Sequence, residues 1–206
     1  MEIRQLIFAV LCLVMLVPIN VQAMAIGMPL PTARLGLAVG IAHLSVNDPI
    51  AETGNEWLIS PINLIYTDEL LASNRYWLEV FYQDALLSAS SDQVGQHVKQ
   101  LGLRASLQRR FATSGAGESW LGAGLQLSYD RFENRHRVDS AGYLLQSYPD
   151  RSGGQSALLV NYVFETNAFG RDIAYKLEHS FPLADGVSKF TMAVSFLFGY
   201  GSGAWQ

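Results

Sequence analysis

Between Lys189 and Tyr200 the chain alternates without interruption. Phe190, Met192, Val194, Phe196, Phe198 and Tyr200 fall on one side, with Thr191, Ala193, Ser195, Leu197 and Gly199 on the other. Successive side chains of a strand point to opposite faces. This segment therefore has one continuously apolar face and one made mostly of small and polar groups. A soluble sheet must cover such a face with a second layer of equal size. Similar strands recur along the chain, and hydrocarbon covers all of them at once, so the segment reads as a lipid-facing strand of a membrane barrel.

The other strands fall at 34–46, 57–66, 76–86, 97–110, 119–131, 156–166 and 171–181. In the first, Leu35, Leu37, Val39 and Ile41 share a face. In the second, Leu58, Ile62, Leu64 and Tyr66 share one, and Pro61 marks a weak or bulged site. Tyr76, Leu78, Val80 and Tyr82 point outward from the third, and Leu101, Leu103, Ala105 and Leu107 from the fourth. The fold expected is all-β: a transmembrane antiparallel up-and-down barrel of eight strands, with a ten-stranded barrel as the alternative. The short turns at 67–74, 112–118 and 167–170 belong on the periplasmic side. The connections at 47–56, 87–96 and 132–155 belong outside, with a short outer loop at 182–188. Residues 138–148 have no cleanly apolar face and read as an extracellular hairpin or lid, followed by a turn over 149–154. A secreted β-sandwich shares the alternation and is the competing architecture.

Arg4, the apolar run 6–17 and Val21-Gln22-Ala23 have the form of a signal peptide, with cleavage after Ala23. That leaves 24–206 as one barrel domain. The apolar run is too short to span a bilayer comfortably as a helix. Cys12, the single cysteine, falls within that segment. The mature chain would have no thiol, hence no disulfide, thiolate metal site or cysteine nucleophile. The formal net charge is −4, without a basic stripe, which speaks against nucleic acid as a partner. No later segment suits a transmembrane helix, so any span must be made of strands.

The inward faces carry Glu79, Arg104, Gln108, Gln126, Asp130, Asn161, Lys176 and Glu178, beside Trp77, Phe81 and Trp120. An eight-stranded barrel is barely wide enough for its own side chains, and an unpaired buried charge is costly. The expectation is a luminal network in which Arg104 and Lys176 neutralise Glu79, Glu178 and Asp130, forming a plug; a gated narrow channel is the alternative. His43, His97, His136 and His179 fall near the outer end. His179 and Ser180 are adjacent on a strand, so they face opposite ways and do not pair as base and nucleophile. No short-range metal-ligand spacing is present, and no cofactor is implied. Arg131, Arg135 and Arg137, with His136, form a basic cluster suited to the phosphates of lipopolysaccharide at the outer rim. Asp130, Glu133 and Asp139 dilute its charge.

Over 34–200 the pattern resembles the small outer-membrane barrels of Gram-negative bacteria, the OmpA, OmpX and OmpW type. Such chains close on an alternating strand with a terminal aromatic residue that the assembly machinery reads. Phe196, Phe198 and Tyr200 look like that signal, although six residues follow. The resemblance implies export to the bacterial outer membrane, contact with its lipid and lipopolysaccharide, barrel-assembly machinery as a partner during biogenesis, and a monomer. It favours a non-enzymatic surface or envelope-integrity role. A lipid A-modifying hydrolase or acyltransferase is one alternative, although the His-x-Ser spacing of the lipid A deacylases is not found at His179-Ser180. A narrow small-solute channel is the other.

Overall fold

The computed structural model describes residues 33–48, 51–71, 73–168 and 171–199. The expected signal peptide 1–23 and Tyr200 lie outside the described residues. Among the described residues nine strands follow in order: β1 (Arg34–Asp48), β2 (Ala51–Leu71), β3 (Asn74–Leu87), β4 (Gly95–Ser114), β5 (Gly117–Val138), β6 (Leu144–Ser147), β7 (Arg151–Ala168), β8 (Arg171–Pro182) and β9 (Val187–Gly199). Every pairing is antiparallel. β1 to β5 pair in sequence, β5 pairs with β7, then come β8 and β9, and β9 returns to β1. Eight strands close the ring. β6 stands apart from it; among the described residues it pairs with the far end of β5 alone. The sheet thus has no open edge around the barrel, which removes the pairing liability of an edge strand.

The period-2 pattern sets what each face meets. Outside, Leu37, Leu64, Val80, Leu103, Leu121, Val160, Tyr175 and Phe196 are exposed, one from each of the eight ring strands. Inside, polar and aromatic side chains are buried. Because the one ring sheet closes on itself, no second sheet covers the apolar exterior among the described residues. This arrangement replaces the β-sandwich alternative, and the eight-strand ring replaces the ten-stranded one.

Two local departures have a common cause. Leu58 does not share the outward face with Ile62 and Leu64; it packs against the inner cluster, while Trp57 and Ile59 are exposed. The register moves from Ala38↔Asn63 to Gly40↔Ser60, so β2 carries one extra residue beside Pro61. A bulge of this kind reverses the alternation beyond it. The second departure lies in the long outer connection. β5 runs on to Val138, and Arg151 to Gly154 pair with Phe132 to Tyr129 instead of forming a turn. Ladder pairing satisfies backbone groups that a turn would leave to solvent. The 138–148 hairpin is built by β5 and β6. Its turn is closed by Asp139, whose Oδ1 accepts hydrogen bonds from the amides of Ala141 (2.9 Å) and Tyr143 (2.8 Å). Gly142 supplies the left-handed φ of 85°.

The lumen is layered. Toward the short turns lies an apolar cluster of Ala38, Ile65, Trp77, Trp120, Val163, Ala174, Ala193 and Leu197. Toward the outer loops lies a second, with Leu44, Val46, Leu87, Val98, Phe132 and Val187. Polar layers fill the space between them. Gly102 makes one of these layers possible: a Cβ there would stand 2.7 Å from the Phe81 ring and 2.5 Å from the Leu127 carbonyl oxygen. Gly102→Val is expected to cost about 1–3 kcal/mol through overpacking, read as a lower denaturant midpoint with an unchanged slope.

Candidate functional site: the lumen and the outer rim

The middle of the lumen is an ion cluster built from β3, β4 and β8. Glu79 and Arg104 are register partners across β3 and β4. Arg104 Nη1 donates to Glu79 Oε1 at 2.7 Å and lies 3.2 Å from Glu178 Oε1. Lys176 Nζ donates to Glu79 Oε2 and lies 3.3 Å from Glu178 Oε2. The Asn63 amide donates to Glu79 Oε1 at 2.9 Å, and Arg104 stacks 3.9 Å over the Phe81 ring. Two cations thus face two carboxylates, each serving both. Exposure decides what this cluster can be: Glu79 and Lys176 are 1% exposed, Arg104 2% and Glu178 3%. Groups lining a continuous aqueous path would be wet, so the lumen is closed here.

Asp130 does not join that cluster. It accepts a hydrogen bond from Gln100 Nε2 at 2.8 Å, and Gln100 is its register partner. Gln100 lies four residues from Arg104 along β4, about 13 Å at strand rise, which separates the two layers.

A second ion group at the short-turn end involves Arg75, whose charge falls one residue before the strand the alternation marks. Arg75 Nη1 donates to Glu165 Oε1, and its Nε donates to Gln108 Oε1 at 2.6 Å. Its guanidinium lies 4.0 Å over the Trp120 ring, while Arg34 reaches the other Glu165 oxygen at 3.0 Å. Extending the inward series 77, 79, 81 back by one step would have placed Arg75 in the lumen. Its pairing with Glu165, 90 residues away, has no local signal. A cavity of about 200 Å³ opens beside this group, lined by Arg34, Glu118, Glu165 and Asp172 among others. Lys189 is likewise inward, 4.4 Å over the Phe81 ring.

The three rim arginines do not share a face. Arg131 is outward, with its side chain 57% exposed and Nη2 2.7 Å from Glu133 Oε1. Arg135 is buried; it donates to the Pro149 carbonyl at 2.7 Å and lies 5.7 Å over the Tyr148 ring. Arg137 donates to the Ser91 carbonyl. The cause is again a bulge. Pairing shifts from His97↔Glu133 to Gly95↔His136, and Asn134 adopts φ 56° between them. Asparagine tolerates that conformation better than most residues, and the alternation reverses after it. The outward row at this level is instead Asp84, Lys99, Arg131 and Ser152, register partners across β3, β4, β5 and β7. Lys99 Nζ donates to Glu133 Oε2 at 2.8 Å. Just below stands the row Tyr82, Leu101 and Tyr129. In the loop above, hydrogen bonds from the Ser90 hydroxyl, the Asp92 amide and the Ser91 hydroxyl hold the Asp92 carboxyl below the usual carboxylate range.

The histidines keep apart. His43 lies 5.0 Å from the Trp57 ring, and His179 lies 4.2 Å from Phe181. His97 pairs with Asp84, and His136 Nδ1 meets the Asn134 carbonyl at 2.7 Å. Ser180 faces inward and donates to the Lys189 carbonyl. Ser188, on the neighbouring strand, is the serine that reaches His179 Nε2, at 3.3 Å. Among the described residues no carboxylate orients His179, and no three histidine or carboxylate side chains come together as a metal site.

No family model matches the chain, and no curated protein matches it. Solved structures do. Ail, the attachment invasion locus protein of Yersinia pestis, is 13% identical over 81% of this chain and 99% of its own, with a TM-score of 0.49. Neisserial surface protein A is 12% identical over 84% of this chain and all of its own length (100%), with a TM-score of 0.55. With the closed ring, the apolar exterior and the match to the second of these, the chain has the fold of the small bacterial outer-membrane β-barrels.

Proposed function

We propose that this chain is exported to the bacterial outer membrane and serves there as a non-enzymatic surface or envelope-integrity protein that contacts lipopolysaccharide. The observation that carries the reading is the filled lumen. Ion pairs inaccessible to water occupy its middle, and apolar clusters close it on either side. A solid barrel offers its rim and outer loops for function, not a pore. At the rim, Arg131 is exposed and braced by Glu133, and Lys99 stands beside it at the level where headgroups follow the tyrosine row. Guanidinium forks and ammonium groups at that level suit the phosphates of a glycolipid.

The test is the lipopolysaccharide retained per barrel after purification. A Lys99→Ala/Arg131→Ala double variant is expected to retain several-fold less than the unchanged chain. Equal retention would remove the contact from the proposal. Lipid A from cells with and without the protein should have the same acyl pattern by mass spectrometry; a changed pattern would favour chemistry at Ser188 and His179 instead.

A further inference from the structure

We propose that the outer half of the lumen holds a small monovalent cation between Gln83, Gln100 and Asp130. These residues form one register row, Gln83↔Gln100↔Asp130, across three adjacent strands. All three face inward and are at most 1% exposed. Gln83 Oε1, Gln100 Oε1 and Asp130 Oδ1 each lack a hydrogen-bond partner among the described residues. Gln100 Nε2 donates to Asp130 Oδ2 at 2.8 Å, and Gln83 Nε2 donates to the Ile59 carbonyl at 3.5 Å, so each amide nitrogen is engaged and each amide oxygen is left over. Buried polar atoms in native proteins are satisfied, so orphans gathered in one place need an occupant.

Charge and space select that occupant. All three orphans are acceptors, one belongs to a carboxylate, and the cations whose charge acts on Asp130, Lys189 and Arg151, lie beyond ion-pair distance of it. Carboxylate and amide oxygens are hard ligands suited to hard cations. A single carboxylate balances one positive charge, so a monovalent ion fits better than a divalent one. The row continues to Gly153 on β7, directly opposite Asp130, where a Cβ would meet nothing within 4 Å. That space leaves room for water to complete the coordination shell.

Thermal unfolding of the whole detergent-solubilised barrel tests this in sodium, potassium and N-methylglucamine chloride at one ionic strength. The apparent Tm should be several degrees higher in sodium or potassium than with the bulky cation, and should rise with small-cation concentration as mass action requires. Asp130→Asn, which keeps the shape, should abolish the difference. Gly153→Leu, which fills the open space without touching the oxygens, should do the same and covers the case in which Asp130→Asn misfolds. Equal Tm in all three salts would mean that water alone occupies the row. An undiminished difference in both variants would place the ion elsewhere. Either result overturns the proposal.

Discussion

Lys176→Met is expected to cost the barrel about 3–5 kcal/mol, the usual penalty for removing one partner from a buried ion group. The four ion-paired groups are balanced two against two, and each cation serves both carboxylates. Without Lys176, Glu79 and Glu178 compete for Arg104 in a layer that water does not reach. Methionine fills similar volume, so the loss reflects charge and not a cavity. Adding Glu79→Gln restores neutrality, leaving Arg104 to pair with Glu178. The double variant is therefore expected to be more stable than Lys176→Met alone, with a coupling of about 0.5–3 kcal/mol. Equilibrium unfolding in guanidinium, with the barrel in lipid vesicles, reads both quantities. Additive losses would mean that the two groups do not act on each other.

How much of this was legible in the sequence depended on whether a property is local. The outward series Leu101, Leu103, Ala105 and Leu107 reads directly, because the side-chain period of a strand is 2 and hydrocarbon demands an unbroken apolar row. The inward positions of Glu79, Arg104, Lys176 and Glu178 follow from the same count. Bulges defeat that count. Pro61 gave warning of one, but the sequence did not say that the reversal would turn Leu58 inward. Asn134 gave none, and Arg135 left the rim as a result. Partners across the lumen are a third kind of information. Arg75 and Glu165 meet because ring closure and stagger bring the ends of distant strands together, and no spacing within either segment encodes that. The Gln83, Gln100 and Asp130 row belongs to this class too, since its meaning depends on register between strands.

The apolar exterior makes its own demand. On β4 the outward run is bounded by Lys99 above and Arg109 below. Ten residues span about 33 Å along a strand, which a tilt near 40° reduces to about 25 Å, the height of the apolar band of a membrane barrel. Leu103, 45% exposed and flanked by Val80 and Leu127 on the neighbouring strands, lies near the middle of that band. Leu103→Arg is expected to cost about 2–4 kcal/mol, because the guanidinium must leave water for hydrocarbon. Tyr143→Arg supplies the control: Tyr143 is 73% exposed at the outer hairpin, above the band, and its replacement should change stability by no more than about 0.5 kcal/mol. Exposure alone would make both substitutions mild. Only a hydrocarbon surround separates them, so unfolding in lipid vesicles that found the two variants equally stable would contradict a membrane-embedded exterior and leave those apolar strands without a cover.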